Sequence, residues 1–228
     1  MRNLLPLFLD LTGRDVLLVG GGSVALAKLR QLLAAGARVR VVSPVVLDEV
    51  ERLARSAGTP STEVQILRRG FQPSDLQDVW LVVAAATPAV NREVSQAATE
   101  RRVFVNAVDD PANASAYLSG VVRRDEVTIA VSTSGDAPAL TSLVREALDA
   151  VLPRELAEWV TVARDERLQW RRDGVPMEER KPLLLRALND LYADDTAADR
   201  RPAGVIPFDR GPAASRIPWL SGPEDSWL

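Results

Sequence analysis

The sequence predicts an α/β fold, a doubly wound parallel sheet followed by a small two-stranded region and C-terminal helices. Three observations carry that expectation. Val16–Val19 is an apolar run rich in β-branched residues, and Gly20, Gly21 and Gly22 follow it directly. A helical pattern then opens at Ser23, with Val24, Ala25, Leu29, Leu32 and Leu33 near one face and Lys28, Arg30 and Gln31 off it. Beyond it, short apolar runs alternate with helical stretches as far as Val105.

The elements follow in order. Met1–Thr12 is an apolar lead-in whose Leu5, Leu7 and Leu9 alternate as in a short extended segment. Gly36 ends the first helix, and Arg38–Val42 is the second strand, with Ser43 and Pro44 at its carboxyl end. Val46–Ala57 reads as a helix, 58–62 as a loop and Val64–Leu67 as the third strand. Phe71–Asp78 connects to Trp80–Ala85, a strand apolar throughout, as a parallel strand covered on both faces should be. Thr87 and Pro88 open a helix to about Arg101, and Val103–Val105 is the fifth strand. Ala116–Val122 and Val127–Ser132 then read as a hairpin. Helices are expected over Pro138–Val151, Arg154–Arg172 and Met177–Tyr192, and the chain from Ala193 on reads as a flexible tail.

Composition narrows the chemistry. The 228 residues carry a net charge of −3, with no basic surplus to suggest nucleic acid or a membrane surface as partner. There is no cysteine, hence no thiolate metal site, and no histidine, the commonest general base and metal ligand. No metal site is expected. No apolar run is long enough to span a membrane, and the opening residues do not form a signal peptide, so a cytoplasmic protein is expected.

Strand, glycine turn and helix are the setting of a dinucleotide-binding fingerprint. Gly20 permits a tight turn, Gly22 lets a pyrophosphate approach the backbone, and Ala25 is small enough for helix and strand to pack closely. The amides opening the helix at Ser23 and Val24 would face the phosphates. In such sheets ligands bind beyond the carboxyl ends of the strands, which places Gly20–Val24, Ser43–Pro44, Ala85–Thr87 and Asn106–Asp109 on one rim. Ser43 stands where an acid usually binds the ribose, so its hydroxyl can bond the ribose but repels no 2′-phosphate. Arg38 and Arg40 either meet a phosphate or are solvated edge charges. Asp109, just past the fifth strand, is either a proton acceptor beside a nicotinamide or a turn former. The loop Ser132, Thr133, Ser134 and Gly135 either binds an anion or caps the next helix through Ser134 or Asp136.

Together these residues resemble the precorrin-2 dehydrogenase family, the NAD-dependent module of siroheme synthesis, whose bifunctional members are also sirohydrochlorin ferrochelatases. The resemblance runs from Leu5 to Leu152. It rests on P-L-F-L-D-L, on V-L-L-V-G-G-G-S-V-A with Lys28, on G-A-R-V-R-V-V-S-P and on A-A-A-T at Ala84–Thr87. It continues with N-A-V-D-D-P at Asn106–Pro111, I-A-V-S-T-S-G-D-A-P-A-L at Ile129–Leu140 and V-R-E-A-L at Val144–Leu148. Thr133 stands where the family often has serine, and Ala27 where it often has arginine.

The resemblance implies an NAD-binding domain over residues 1–111, a strand-exchanged dimerisation region over 112–152 and a helical domain over 153–193, with the tail at 194–228. It implies a homodimer and the oxidation of precorrin-2 to sirohydrochlorin, with metal insertion as a further activity. Asp109 would be catalytic. Gly20, Gly22, Ser23, Val24, Ser43, Pro44, Ala85, Thr87 and Asn106 would bind NAD, and Ser132, Thr133, Ser134 and Gly135 the tetrapyrrole. Arg123, Arg124 and Arg145 are candidates for the substrate's carboxylates. The alternative is a module that senses NAD(H) without chemistry.

Overall fold

The structure is a computed structural model that describes residues 3–57 and 63–193. The expected loop at 58–62 and the tail at 194–228 lie outside the described residues. A parallel five-stranded sheet has the order β3-β2-β1-β4-β5, formed by β1 (Asp15–Val19), β2 (Arg38–Val42), β3 (Val64–Leu67), β4 (Leu81–Ala84) and β5 (Phe104–Ala107). The order reverses between β1 and β4, which opens a crevice at their carboxyl ends. Helices α1 (Ser23–Ala34), α2 (Asp48–Ser56) and α3 (Pro88–Arg101) make the crossovers.

Alternation along the strands supplies two cores. Val16 and Leu18 of β1, Val39 and Val41 of β2 and Leu81 and Val83 of β4 pack with Ala25, Leu29, Leu32 and Val50 from α1 and α2. Leu17, Val19, Val42, Val82 and Ala84 face the other way, against Val94, Ala97 and Ala98 of α3 and Leu76. Each buried leucine or valine removed from water contributes about 1.5–3 kcal/mol, so this two-faced strand pattern holds the sheet. Gly36 follows α1 with φ +76, the left-handed conformation that ends a helix.

Several boundaries differ from expectation for identifiable reasons. Residues 3–11 form no strand, and Leu5, Leu7, Phe8 and Leu9 are exposed. Helix α2 starts at Asp48 rather than Val46, because the Leu47 amide is tied to the Gly21 carbonyl. Trp80 lies outside β4, with the Arg14 guanidinium 4.1 Å over its ring. The predicted first strand of the hairpin begins only at Gly120, because the residues before it are drawn along β5. There the amides of Ser115 and Ala116 donate to the Val105 carbonyl, and the Val105 amide donates to Ser115 Oγ.

Strands β6 (Gly120–Arg124) and β7 (Val127–Val131) pair across the turn at Asp125 and Glu126, and α4 (Pro138–Val151), α5 (Leu156–Asp173) and α6 (Met177–Ala193) follow. By packing, the chain divides into two units. Of the described residues, one takes in the sheet and its helices up to Gly120, together with Ala130–Val144, and the other takes in Val121–Ile129 and the helical segment from Arg145 to Ala193. Within the second, Arg124 donates to the carbonyls of Asp149 and Leu152 at the end of α4. Gly174, at φ +67, closes α5, and Trp159 Nε1 donates to Tyr192 Oη at 2.7 Å across α5 and α6. Among the described residues no helix is long and apolar enough to cross a membrane.

Candidate dinucleotide and substrate site

The rim is assembled by strand register. Val19 lies between Val42 and Ala84, and Ala84 beside Ala107. Hydrogen bonds extend that register past the strand ends. The Gly20 amide donates to Val42, the Ala85 amide to Val19 and the Val108 amide to Ala84, each at 2.8–2.9 Å. The predicted segments after β1, β2, β4 and β5 therefore share one rim.

The three glycines do three jobs. Gly20 has φ +124, and a Cβ there would lie 2.2 Å from the Ala85 carbonyl oxygen. A Cβ on Gly21 would lie 2.3 Å from the Val45 carbonyl oxygen, a packing role that the sequence did not reveal. A Cβ on Gly22 would meet nothing within 4 Å. Gly22 is the N-cap of α1, and no side chain caps that helix and no acid lies in its first turn. Exposed Ser23 and Val24 follow, while Ala25 is fully buried against the sheet. An open N-terminus without acidic side chains suits a pyrophosphate.

Around this turn some predicted roles change. Ser43 is buried and donates its hydroxyl hydrogen to the Val45 carbonyl at 2.6 Å, so it holds the turn and keeps only acceptor capacity for a ribose. Pro44 and Thr87 are exposed and Ala85 half-buried. Asn91, which the sequence did not single out, is buried on α3 and accepts the Ala86 amide at 3.1 Å, fixing the loop after β4. Of the two arginines on β2, Arg38 forks onto Asp15 at 2.7 and 3.0 Å and Arg40 donates to the Asp75 carbonyl, so both act as structural edge charges.

A cavity of about 200 Å³ adjoins the end of β5. Its walls include Lys28, Asn106, Asp109, Ser132, Thr133 and Gly135. Two sequence-distant candidate groups, the Asn106–Asp109 segment and the serine-rich loop, thus meet in one place. Gly135 makes the approach close, since a Cβ there would stand 3.0 Å from Pro111 Cγ. Asp109 is exposed, with φ +54, a left-handed conformation that aspartate tolerates better than most residues. Asn106 is buried. Its Nδ2 donates to the Ala116 carbonyl at 3.0 Å, while its Oδ1 has no partner. An unpartnered acceptor on a residue that lines the cavity fits a ligand that brings an N–H, such as a carboxamide.

The serine-rich loop is divided in role. Ser132 and Thr133 line the cavity, and Ser134 is not among the lining residues. The cap of α4 comes from Thr133, not from Ser134 or Asp136, since Thr133 Oγ1 accepts the Ala137 amide at 3.2 Å and lies 2.9 Å from Thr141 Oγ1. Arg124 is engaged with the α4 carboxyl end, and Arg145 with Glu146. Lys28, which the sequence placed off the apolar face of the helix and among the residues of the family resemblance but gave no role, is half-buried in the cavity wall. Desolvation pushes its ammonium below the usual lysine range, and the Asp109 charge partly offsets this. Among the described residues no group of three or more acidic, histidine or cysteine side chains is arranged to hold a metal.

Such a rim defines a Rossmann-type NAD(P)-binding domain. The model of a family described as "Putative NAD(P)-binding" matches residues 7–120, and the chain belongs to that family. It is 40% identical to siroheme synthase 1 of Aeromonas salmonicida (strain A449) over 81% of this chain and 39% of that protein. It is 38% identical to siroheme synthase 3 of Aeromonas hydrophila subsp. hydrophila over 98% of this chain and 48% of that protein. The chain therefore spans less than half the length of these curated relatives. Among solved structures, SirC, precorrin-2 dehydrogenase, matches with a TM-score of 0.62 and 26% identity, covering 83% of this chain and 92% of that one.

Proposed function

We propose that this chain oxidises precorrin-2 to sirohydrochlorin with NAD⁺, as a cytoplasmic homodimer. The observation that carries the reading is the single cavity shared by Asn106, Asp109 and the serine-rich loop at the dinucleotide rim. The kinship to siroheme synthases and to SirC supports the substrate. A bound nicotinamide supplies a two-electron hydride acceptor. The chain's own residues do the rest. Gly22 and the first amides of α1 bind the pyrophosphate, and Asn106 Oδ1 accepts a hydrogen bond from the carboxamide. The Asp109 carboxylate takes the proton that accompanies the hydride. Ser132 and Thr133 face the substrate side. NAD⁺ is favoured over NADP⁺ because Arg38 and Arg40 are held by Asp15 and Asp75, leaving no β2 guanidinium for a 2′-phosphate.

Mixing the chain with precorrin-2 and either dinucleotide tests this. NADH should appear with NAD⁺, and NADPH slowly or not at all with NADP⁺. If NADH binds but none forms from precorrin-2, the chain is instead a dinucleotide-sensing module. Metal insertion into sirohydrochlorin is a separable part of the proposal. The metal would be a substrate, Asp109 the base for the pyrrole protons, and a rate of Co²⁺ insertion no faster than background would remove it. The division into dimerisation region (112–152) and helical domain (153–193) also belongs to this proposal, and the chain's mass in solution tests the dimer.

A further inference from the structure

We propose that the Lys28 ammonium receives a carboxylate of the substrate and so holds the tetrapyrrole against Asp109. The inference rests on the tetrapyrrole reading above and adds the contact by which this cavity recognises a polyanion.

Among the described residues that line the cavity Lys28 is the one cation, and it shares the walls with two carboxylates, Asp109 and Asp110. A polycarboxylate entering such a space meets repulsion unless one of its own groups falls on the cation. Lys28 is also half-withdrawn from water without a close partner. Among the described residues no carboxylate stands at ion-pair distance from it, and the Asp109 charge only partly relieves its desolvation. Charges removed from water are ordinarily paired, so the missing partner points to a ligand.

Position separates this ligand from the dinucleotide. Lys28 is six residues beyond Gly22, about 9 Å along the helix axis at 1.5 Å per residue. None of Gly20, Gly21, Gly22 and Ser23 lines the cavity. Val24 and Lys28, four residues apart, lie on one face of α1, so that face leads from the phosphate end of the site to the cavity. The residue type is informative as well. The sequence has 26 arginines and two lysines, and one of those lysines is here.

The test compares Lys28→Met and Lys28→Arg with the unaltered full chain. Sirohydrochlorin binding is titrated by absorbance, and NADH binding by fluorescence. Lys28→Met should weaken sirohydrochlorin about tenfold, the scale of one charge-assisted contact. NADH affinity should stay within twofold, and Lys28→Arg should recover binding to within about threefold. Salt should narrow the difference between Met and wild type, since the contact is ionic. The inference is overturned if Lys28→Met binds sirohydrochlorin as tightly as the parent, if NADH weakens in parallel, or if Arg fails as completely as Met. A parent chain that binds no sirohydrochlorin overturns the tetrapyrrole reading itself and this inference with it. A parent that binds while Met binds equally well sinks the Lys28 inference alone.

Discussion

Gly20 and Ala85 stand back to back where β1 and β4 end, with 2.2 Å between the position of a Gly20 Cβ and the Ala85 carbonyl oxygen. No side chain fits there, and the φ of +124 adds strain for any residue but glycine. Gly20→Ala should therefore lose about 3 kcal/mol of stability or fail to fold. Gly22→Ala, which meets nothing within 4 Å and has an ordinary φ of −86, should fold normally and lose dinucleotide affinity. Thermal melts with NADH titrations of both variants check the contrast. Equal melting loss in the two would contradict it.

Asp109→Asn should reduce kcat by about 10²–10⁴ while leaving Tm and NADH affinity near those of the parent. Asparagine is the right probe because it tolerates the left-handed backbone at φ +54, whereas alanine adds strain unrelated to charge. Near-normal turnover with precorrin-2 would remove Asp109 as the proton acceptor.

Lys28→Met should raise Tm at neutral pH. Burial depresses the folded-state pKa of Lys28, so the charged form is disfavoured by folding. That penalty is fully present below the folded value and vanishes above the unfolded value of about 10.4. The gain from methionine should therefore shrink as pH rises through the lysine range. Asp109→Asn should lower Tm slightly in the parent and not in the Lys28→Met background, because the coupling has lost its cation.

The buried carboxylate of Asp75 gives an acid-side test. Burial would raise its pKa, but the Arg69 fork at 2.6 and 2.8 Å, the Gln72 amide and the Arg40 charge outweigh burial and lower it. A lowered pKa contributes stability above the unfolded value, and that contribution is lost as pH falls through the folded one. Asp75→Asn should cost about 2 kcal/mol at pH 7, less than a fully buried pair because Arg69 is about a third exposed. The gap from the parent should close in acid, as read by denaturant melts from pH 7 to pH 3.

The order of elements was legible because the apolar runs of β1, β2 and β4 and the glycine turn are local signals. Asp109 and Ser132–Gly135 could be named one at a time from turn chemistry, but their meeting depends on Gly135 packing against Pro111, a contact between residues 24 apart that no local pattern encodes. Lys28 was named with the glycine motif but given no role, because a lysine off the apolar face reads as solvated. Only the fold shows that a second wall closes over it. The cap of α4 was misplaced because Ser134 and Asp136 are as apt by type as Thr133, and the loop's two left-handed residues, Ser134 and Gly135, decide which hydroxyl reaches the Ala137 amide.

The strip of chain lying along β5 also has a bearing on self-association. Val105 is saturated on its outer side, its carbonyl taken by two amides and its amide by the Ser115 hydroxyl. A strand from another molecule therefore finds no docking edge at the midpoint of that border. Losing the hydroxyl in Ser115→Ala would bare one N–H there, and a greater tendency to form β-rich aggregates on mild heating would be the outward sign.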